Sequence, residues 1–252
     1  MLQRICKLLL IFALLWPGVS WGAAPTLGSY TASTFSDSVT TSEVTGTLTW
    51  GNGDLIVVLG VTEDDGKTLN TPTATGLSFT AVAGTPTTTT NKAKVYAWTA
   101  TAGSASSGAI TAGTDTTAAA RGIAAFAFSG STGIGGTSIS AALGTATTQS
   151  LTRTGTNSHV VQVWGDWNAV NDTTVTGTPS GETQRVAQFI SGTVTFFVLS
   201  WGDQGASGTT SYGFTGHAGG AEMSAITREV LGDGAGGGGA TVRSLSLLGV
   251  GQ

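Results

Sequence analysis

What most constrains this chain is that its middle reads as one pattern written twice. Asp54-Leu-Ile-Val-Val-Leu-Gly-Val61, an acidic loop, Thr71-Pro72, Val95-Tyr-Ala-Trp98, Gly108 and Ala124-Ala-Phe-Ala-Phe-Ser-Gly130 come in that order. Downstream the order repeats as Ser158-His-Val-Val-Gln-Val-Trp-Gly165, a second acidic loop, Thr178-Pro179, Thr195-Phe-Phe-Val198, Gly208 and Ser224-Ala-Ile-Thr-Arg-Glu-Val-Leu-Gly232. The spacing between counterparts is nearly constant and shortens once, within the Thr-rich stretch Thr85 to Asn91, as a longer hairpin loop in the first copy would require.

Each copy offers about five strands bounded by Gly, Asn, Pro and Ser clusters. Leu55 to Val61 and Val160 to Trp164 are the most continuously apolar runs and are expected at the centre of their sheets. In the third strand of the first copy Tyr96 and Trp98 share one face, expected to be buried, while Ala97 and Thr99 make a light opposite face. In the second copy both faces are heavy, with Phe196 and Val198 on one and Phe197, Leu199 and Trp201 on the other. The second heavy face needs a cover: the segment Leu27 to Trp50, the stretch Ile139 to Thr154, the C-terminal tail or a partner. Ala118 to Ala127 has helical composition, but Thr pairs and Gly122 interrupt it, so it reads as strand.

The expected fold is therefore all-β, an antiparallel two-sheet, jelly-roll-like sandwich built from an internal duplication, with copies at about 54–130 and 158–232 interleaved in one core. Two separate small sandwiches are the second possibility. Composition agrees: charged residues make up 10% of the 252 residues, against about 25% in ordinary globular domains. The gap is filled by Thr, Ser, Ala and Gly, which suit sheets and turns.

Residues 1–24 have the layout of a secretory signal: Arg4 and Lys7, the apolar run Leu8 to Leu15, a Trp16-Pro17-Gly18 break and then small residues. The run is shorter than the roughly 20 apolar residues of a membrane span. The expectation is a secreted or extracytoplasmic protein, at a cell or particle surface, with no membrane span in its mature form. Cys6, the single cysteine, lies inside this leader, so neither disulfides nor thiolate catalysis are expected of the mature chain. Beyond Gly232, residues 233–239 form a Gly-rich tether and residues 240–252 a strand-like tail carrying Val242, Leu245, Leu247 and Leu248.

Chemistry-bearing patterns are sparse. There is no phosphate-binding loop, dinucleotide fingerprint, zinc pattern or nucleophile elbow, and His159 and His217 have no companion motif. No basic run accompanies the net charge of −4, so nucleic acid is not an expected partner. Two acidic loops are the candidate ligand sites. Glu63, Asp64 and Asp65 supply the oxygen ligands that a hard cation such as calcium takes. Asp166, Trp167 and Asp172 combine turn carboxylates with an indole able to stack on a sugar ring. No cofactor is otherwise expected, and no catalytic residues are assigned.

Gly53-Asp54-Leu-Ile-Val-Val-Leu59, the stretch Thr71-Pro72 to Val82, Val95-Tyr-Ala-Trp98 and Ala125-Phe-Ala-Phe-Ser-Gly130 resemble a loosely defined group of mostly uncharacterised β-sandwich proteins of bacteriophage and bacterial genomes, over about Trp50 to Gly232. The resemblance implies an extracellular or particle-associated sandwich, often with no assigned enzyme activity, although an N-terminal signal departs from the usual virion protein. The expected function is that of an adhesion, coat or filament/virion structural subunit working by self-association or contact with a surface polymer or glycan. Phe197, Leu199, Trp201 and the tail residues Val242, Leu245, Leu247 and Leu248 would be the contacts. The alternative is a carbohydrate-binding module assisted by calcium.

Overall fold

The computed structural model describes residues 23–38, 40–63, 66–87, 93–115, 119–144, 147–167, 175–190, 194–215 and 222–232. Among them there is no helix, and every ladder is antiparallel. The first half comprises β1 (Thr26–Ala32), β2 (Ser36–Ser38), β3 (Ser42–Trp50), β4 (Leu55–Thr62), β5 (Thr80–Ala81), β6 (Lys94–Thr101), β7 (Ser106–Gly113) and β8 (Ala119–Ser129). The second comprises β9 (Ser131–Gly144), β10 (Thr148–Arg153), β11 (His159–Trp167), β12 (Thr176–Thr178), β13 (Glu182–Ile190), β14 (Val194–Trp201), β15 (Gly208–Thr215) and β16 (Glu222–Gly232).

The two halves pair their strands in the same order. The larger sheets run β1-β8-β4-β6-β5, with β2 also on β8, and β9-β16-β11-β14-β13. The smaller sheets are β3-β7 and β10-β15-β12, and a bridge from Thr73 to Thr111 lies beside β7 as β12 lies beside β15. Among the described residues no ladder joins the halves.

Packing follows from this order and from the two-residue alternation of a strand. Ile56, Val58, Tyr96 and Trp98 face Leu48, Trp50 and Ile110 of the small sheet, making the first half's own core. Trp164, Phe197, Leu199 and Trp201 likewise face Leu151, Tyr212 and Phe214 in the second. The alternate residues of both large sheets, including Val57, Leu59, Phe126, Val161, Phe196 and Ile226, meet in a third core between the halves. The molecule is thus four stacked sheets with three apolar layers. The single interleaved core expected from sequence is replaced by one core per half and a shared central one.

Both faces of the inner sheets are covered, so β4 is buried at all eight positions. Each fully buried Val, Leu, Ile or Phe side chain contributes about 1.5–3 kcal/mol relative to exposure, which concentrates stability in β4, β11 and their neighbours. The expected central placement of Leu55 to Val61 and Val160 to Trp164 is seen, as is strand rather than helix over Ala119–Ser129. Ala97 differs from expectation: although on the face read as light, it is fully buried, because the second half lies on it, whereas Thr99 on the same face is half-buried. Small residues set this approach. A Cβ on Gly165 would stand 2.5 Å from Val61 Cγ2, and one on Gly122 would stand 2.8 Å from Phe35 Cδ2 and 3.1 Å from Phe196 Cδ1.

Candidate functional site

Three of the residues expected to make contacts with a partner are core. Phe197, Leu199 and Trp201 are buried because β10 and β15 cover that face of β14, and the indole Nε1 of Trp201 donates to Pro179 O at 2.8 Å. The cover is thus internal, supplied in part by the stretch Ile139 to Thr154 through β10. Val242, Leu245, Leu247 and Leu248 lie outside the described residues, as do the tether and nearly all of the leader.

The acidic loops also resolve differently from their sequence reading. Asp166 is not on a solvated turn: it belongs to β11, opposite Thr195 and Met223, and is buried. Trp167 ends the same strand, and Asp172 lies outside the described residues. Glu63 follows β4 and is used locally, its N–H donating to Ala120 O at 3.0 Å and its carboxylate accepting from Ala120 N at 3.1 Å. Asp64 and Asp65 lie outside the described residues. Among the described residues no group of three or more His, Asp or Glu side chains converges as a metal site would require, and no helix is long and apolar enough to cross a membrane.

Among the described residues buried charges are as a rule partnered, some by backbone groups and some by side chains. Glu229 accepts from the N–H groups of Gly136 at 2.7 Å, Thr154 at 2.8 Å and Gly155 at 3.0 Å. Burial alone would raise its pKa, but the donors of Thr154, Gly136 and Gly155 outweigh that and hold it below the ordinary value. Arg121 pairs with Asp115, which also accepts from Thr68 N at 2.7 Å, and Arg153 donates to Gln204 O at 2.7 Å. Glu43 accepts from the Thr40 hydroxyl at 3.1 Å, though burial still raises its pKa.

Arg228 breaks this pattern. It sits on β16 opposite Val161 of β11 and Thr137 of β9, on the same face as Ile226 and Val230, and so points toward the first half. The residue is 5% exposed, and its Nε has no acceptor among the described residues. Burial lowers its pKa from the usual guanidinium range to about 10, with no carboxylate acting against that change. It lines a groove of about 500 Å³ at one edge of the central interface, together with Leu55, Thr99 and Thr101 of the first half and Ile134 and Thr137 of the second. Among the described residues no acidic side chain lines the groove. With no counter-charge among the described residues, burying this cation carries a desolvation cost of several kcal/mol.

Sequence reasoning passes over Arg228. The available signal is the Arg228-Glu229 pair inside the last strand of the second half, where the strand at the matching place of the first half carries Phe126-Ala127. His159 is a different case. It faces the central core, meets Phe128 edge-on at 4.9 Å and is 5% exposed, so it is a seam residue between the halves. His217 lies outside the described residues. Compared with protein-family models, with curated proteins and with solved structures, the chain matches none.

Proposed function

We propose that this protein is a non-enzymatic, secreted or particle-surface β-sandwich acting as an adhesion, coat or filament/virion structural subunit, and that its halves are two copies of one jelly-roll-like unit. The shared pairing order of the two halves supports the second part of this reading. The observation that carries the first is how the charged and polar interior is used. Glu63, Glu229 and Arg153 spend their hydrogen bonds on backbone groups, which staples strands and loops together and leaves few groups to act on a substrate.

The outer faces of the stack suit contact. On β10 and β15 exposed hydroxyl residues pair across the ladder, Thr152 with Thr209 at 2.8 Å and Ser150 with Ser211 at 3.3 Å. With Phe197, Leu199 and Trp201 committed to the core, the apolar tail Val242 to Leu248 is the contact element that this reading retains. A short strand on a Gly tether suits addition to the sheet edge of a neighbouring copy. Deleting residues 240–252 is expected to lower the assembly state in native mass spectrometry while the β circular dichroism spectrum is kept. A monomer before and after deletion would overturn the assembly reading.

A further inference from the structure

We infer that the groove containing Arg228 is a binding site for an anionic oxygen group, a carboxylate, sulfate or phosphate, gripped by the guanidinium and flanked by the hydroxyl residues Thr99, Thr101 and Thr137. The site goes beyond the structural role proposed above and does not depend on the tail.

Four observations converge on it. Arg228 is more than nine-tenths buried, lacks an acceptor at Nε among the described residues, and lines open space at the groove. A guanidinium is a planar fork of donors that matches two oxygens of a carboxylate, sulfate or phosphate, and its pull on an anion strengthens as water is excluded. The described lining offers three threonines and no carboxylate, so the local field is positive in a chain whose net charge is −4.

The fourth observation is internal. At the opposite edge of the same interface Phe126 holds the corresponding ladder place, opposite Val57 and Tyr30 as Arg228 is opposite Val161 and Thr137. There the space is closed by a Tyr30–Phe126 stack at 6.0 Å, with Arg185 5.2 Å above the Tyr30 ring. This fold can therefore seal such an edge with rings. At the Arg228 edge it keeps a charge and an open groove instead. The groove is open enough to admit the acidic group of a larger ligand as well as a free ion.

The test uses the full mature chain at constant ionic strength, set with chloride, titrated with sodium sulfate, inorganic phosphate or polygalacturonate. Wild type is expected to show a saturable rise in Tm and saturable heat in calorimetry. A response to sulfate or phosphate marks a free oxyanion site, and a response to polygalacturonate alone marks a site for polymer-borne carboxylate. Arg228→Met is expected to raise Tm without ligand and to abolish the response. Arg228→Lys, which keeps the charge and loses the fork, should weaken binding about tenfold. Thr99→Val with Thr137→Val provides an independent check and should also weaken binding. The proposal is overturned if none of the three probes saturates on wild type, if Arg228→Met still responds, or if Arg228→Met lowers Tm as loss of a structural group would.

Discussion

The two edges of the central interface occupy matching places in the fold and are finished in opposite ways. At one edge the side chain on the last strand of the first half is Phe126, stacked beneath Tyr30, and the edge is further tied by Gln188 Nε2 donating to Ser33 O at 3.0 Å. At the other the corresponding side chain is Arg228, facing a groove of about 500 Å³. The difference separates two uses of buried surface. Stacked rings remove apolar area from water and stabilise, whereas a buried guanidinium whose Nε has no acceptor among the described residues costs free energy.

Exchanging the two side chains should expose this asymmetry most strongly. Phe126→Arg would strip Tyr30 of its partner and bury a charge in the layer occupied by Val57, Leu59 and Phe128. The expected loss is about 4–5 kcal/mol by urea unfolding, from the lost ring contact together with a desolvated charge. Arg228→Phe places a ring against Leu55 and Ile134 and should fall within about 1 kcal/mol of wild type, or above it. Equal losses in the two variants would mean that Arg228 is as much a part of the core as Phe126, and the comparison would fail.

These edges also show what is legible in the sequence and what is not. The runs Leu55 to Val61 and Val160 to Trp164 announce central strands because only a strand covered on both faces tolerates unbroken apolar character. The two heavy faces of β14 are equally visible, and they do mean two covers. Both covers come from this chain: the small sheet on one side and the first half on the other. The departure at Ala97 has a physical cause. Small side chains suggest a light, exposed face, but at the central seam Ala93, Ala97, Gly122 and Gly165 are small because the sheets approach closely there. Asp166 misleads in the reverse direction, an acid that belongs to a buried strand end. For Arg228 the Arg228-Glu229 pair marks the position, but the lack of an Nε acceptor among the described residues is a property of three-dimensional neighbours, and no spacing along the chain encodes it.

A second pair of matching places sharpens the comparison through pH. Leu55 pairs with Phe128 in the first half where His159 pairs with Val230 in the second. Burial, with the positive charge of Arg185, lowers the pKa of His159 from 6.5 to about 4, against the smaller opposing pull of the Pro25 carbonyl. The folded protein therefore holds this imidazole neutral at pH values where the unfolded chain protonates it. The resulting stability is complete above about pH 6.5 and falls as pH drops toward 4. Over that window the expected loss is about 3 kcal/mol, because each tenfold change in proton affinity between the folded and unfolded chain is worth about 1.4 kcal/mol. His159→Leu, which copies the first half, should flatten urea midpoints between pH 6.5 and 4. Glu229 has a lowered pKa, so its contribution is lost only as pH falls through that depressed value, and the variant should keep an acid limb at lower pH. An unchanged slope between 6.5 and 4 in His159→Leu would show that His159 does not set it.

Arg185 gives the smallest effect and tests how the sealed edge is built. Its Nε donates to the Ser200 hydroxyl at 2.7 Å, while its guanidinium carbon lies 5.2 Å from the centre of the Tyr30 ring. Tyr30 is 46% exposed, so water screens this cation–π contact and it is worth about 0.5–1 kcal/mol. Arg185→Met keeps an apolar stem over the ring and removes the charge, so the expected loss at pH 7.5 is of that size. The same change removes one of the influences that depress the His159 pKa, and the imidazole titration followed by NMR should move upward. The two readouts divide the possibilities. A stability loss with no movement of His159 would leave the ring contact as the role of Arg185. Movement without a stability loss would leave only its field, and the Tyr30–Phe126 stack would then seal the edge unaided.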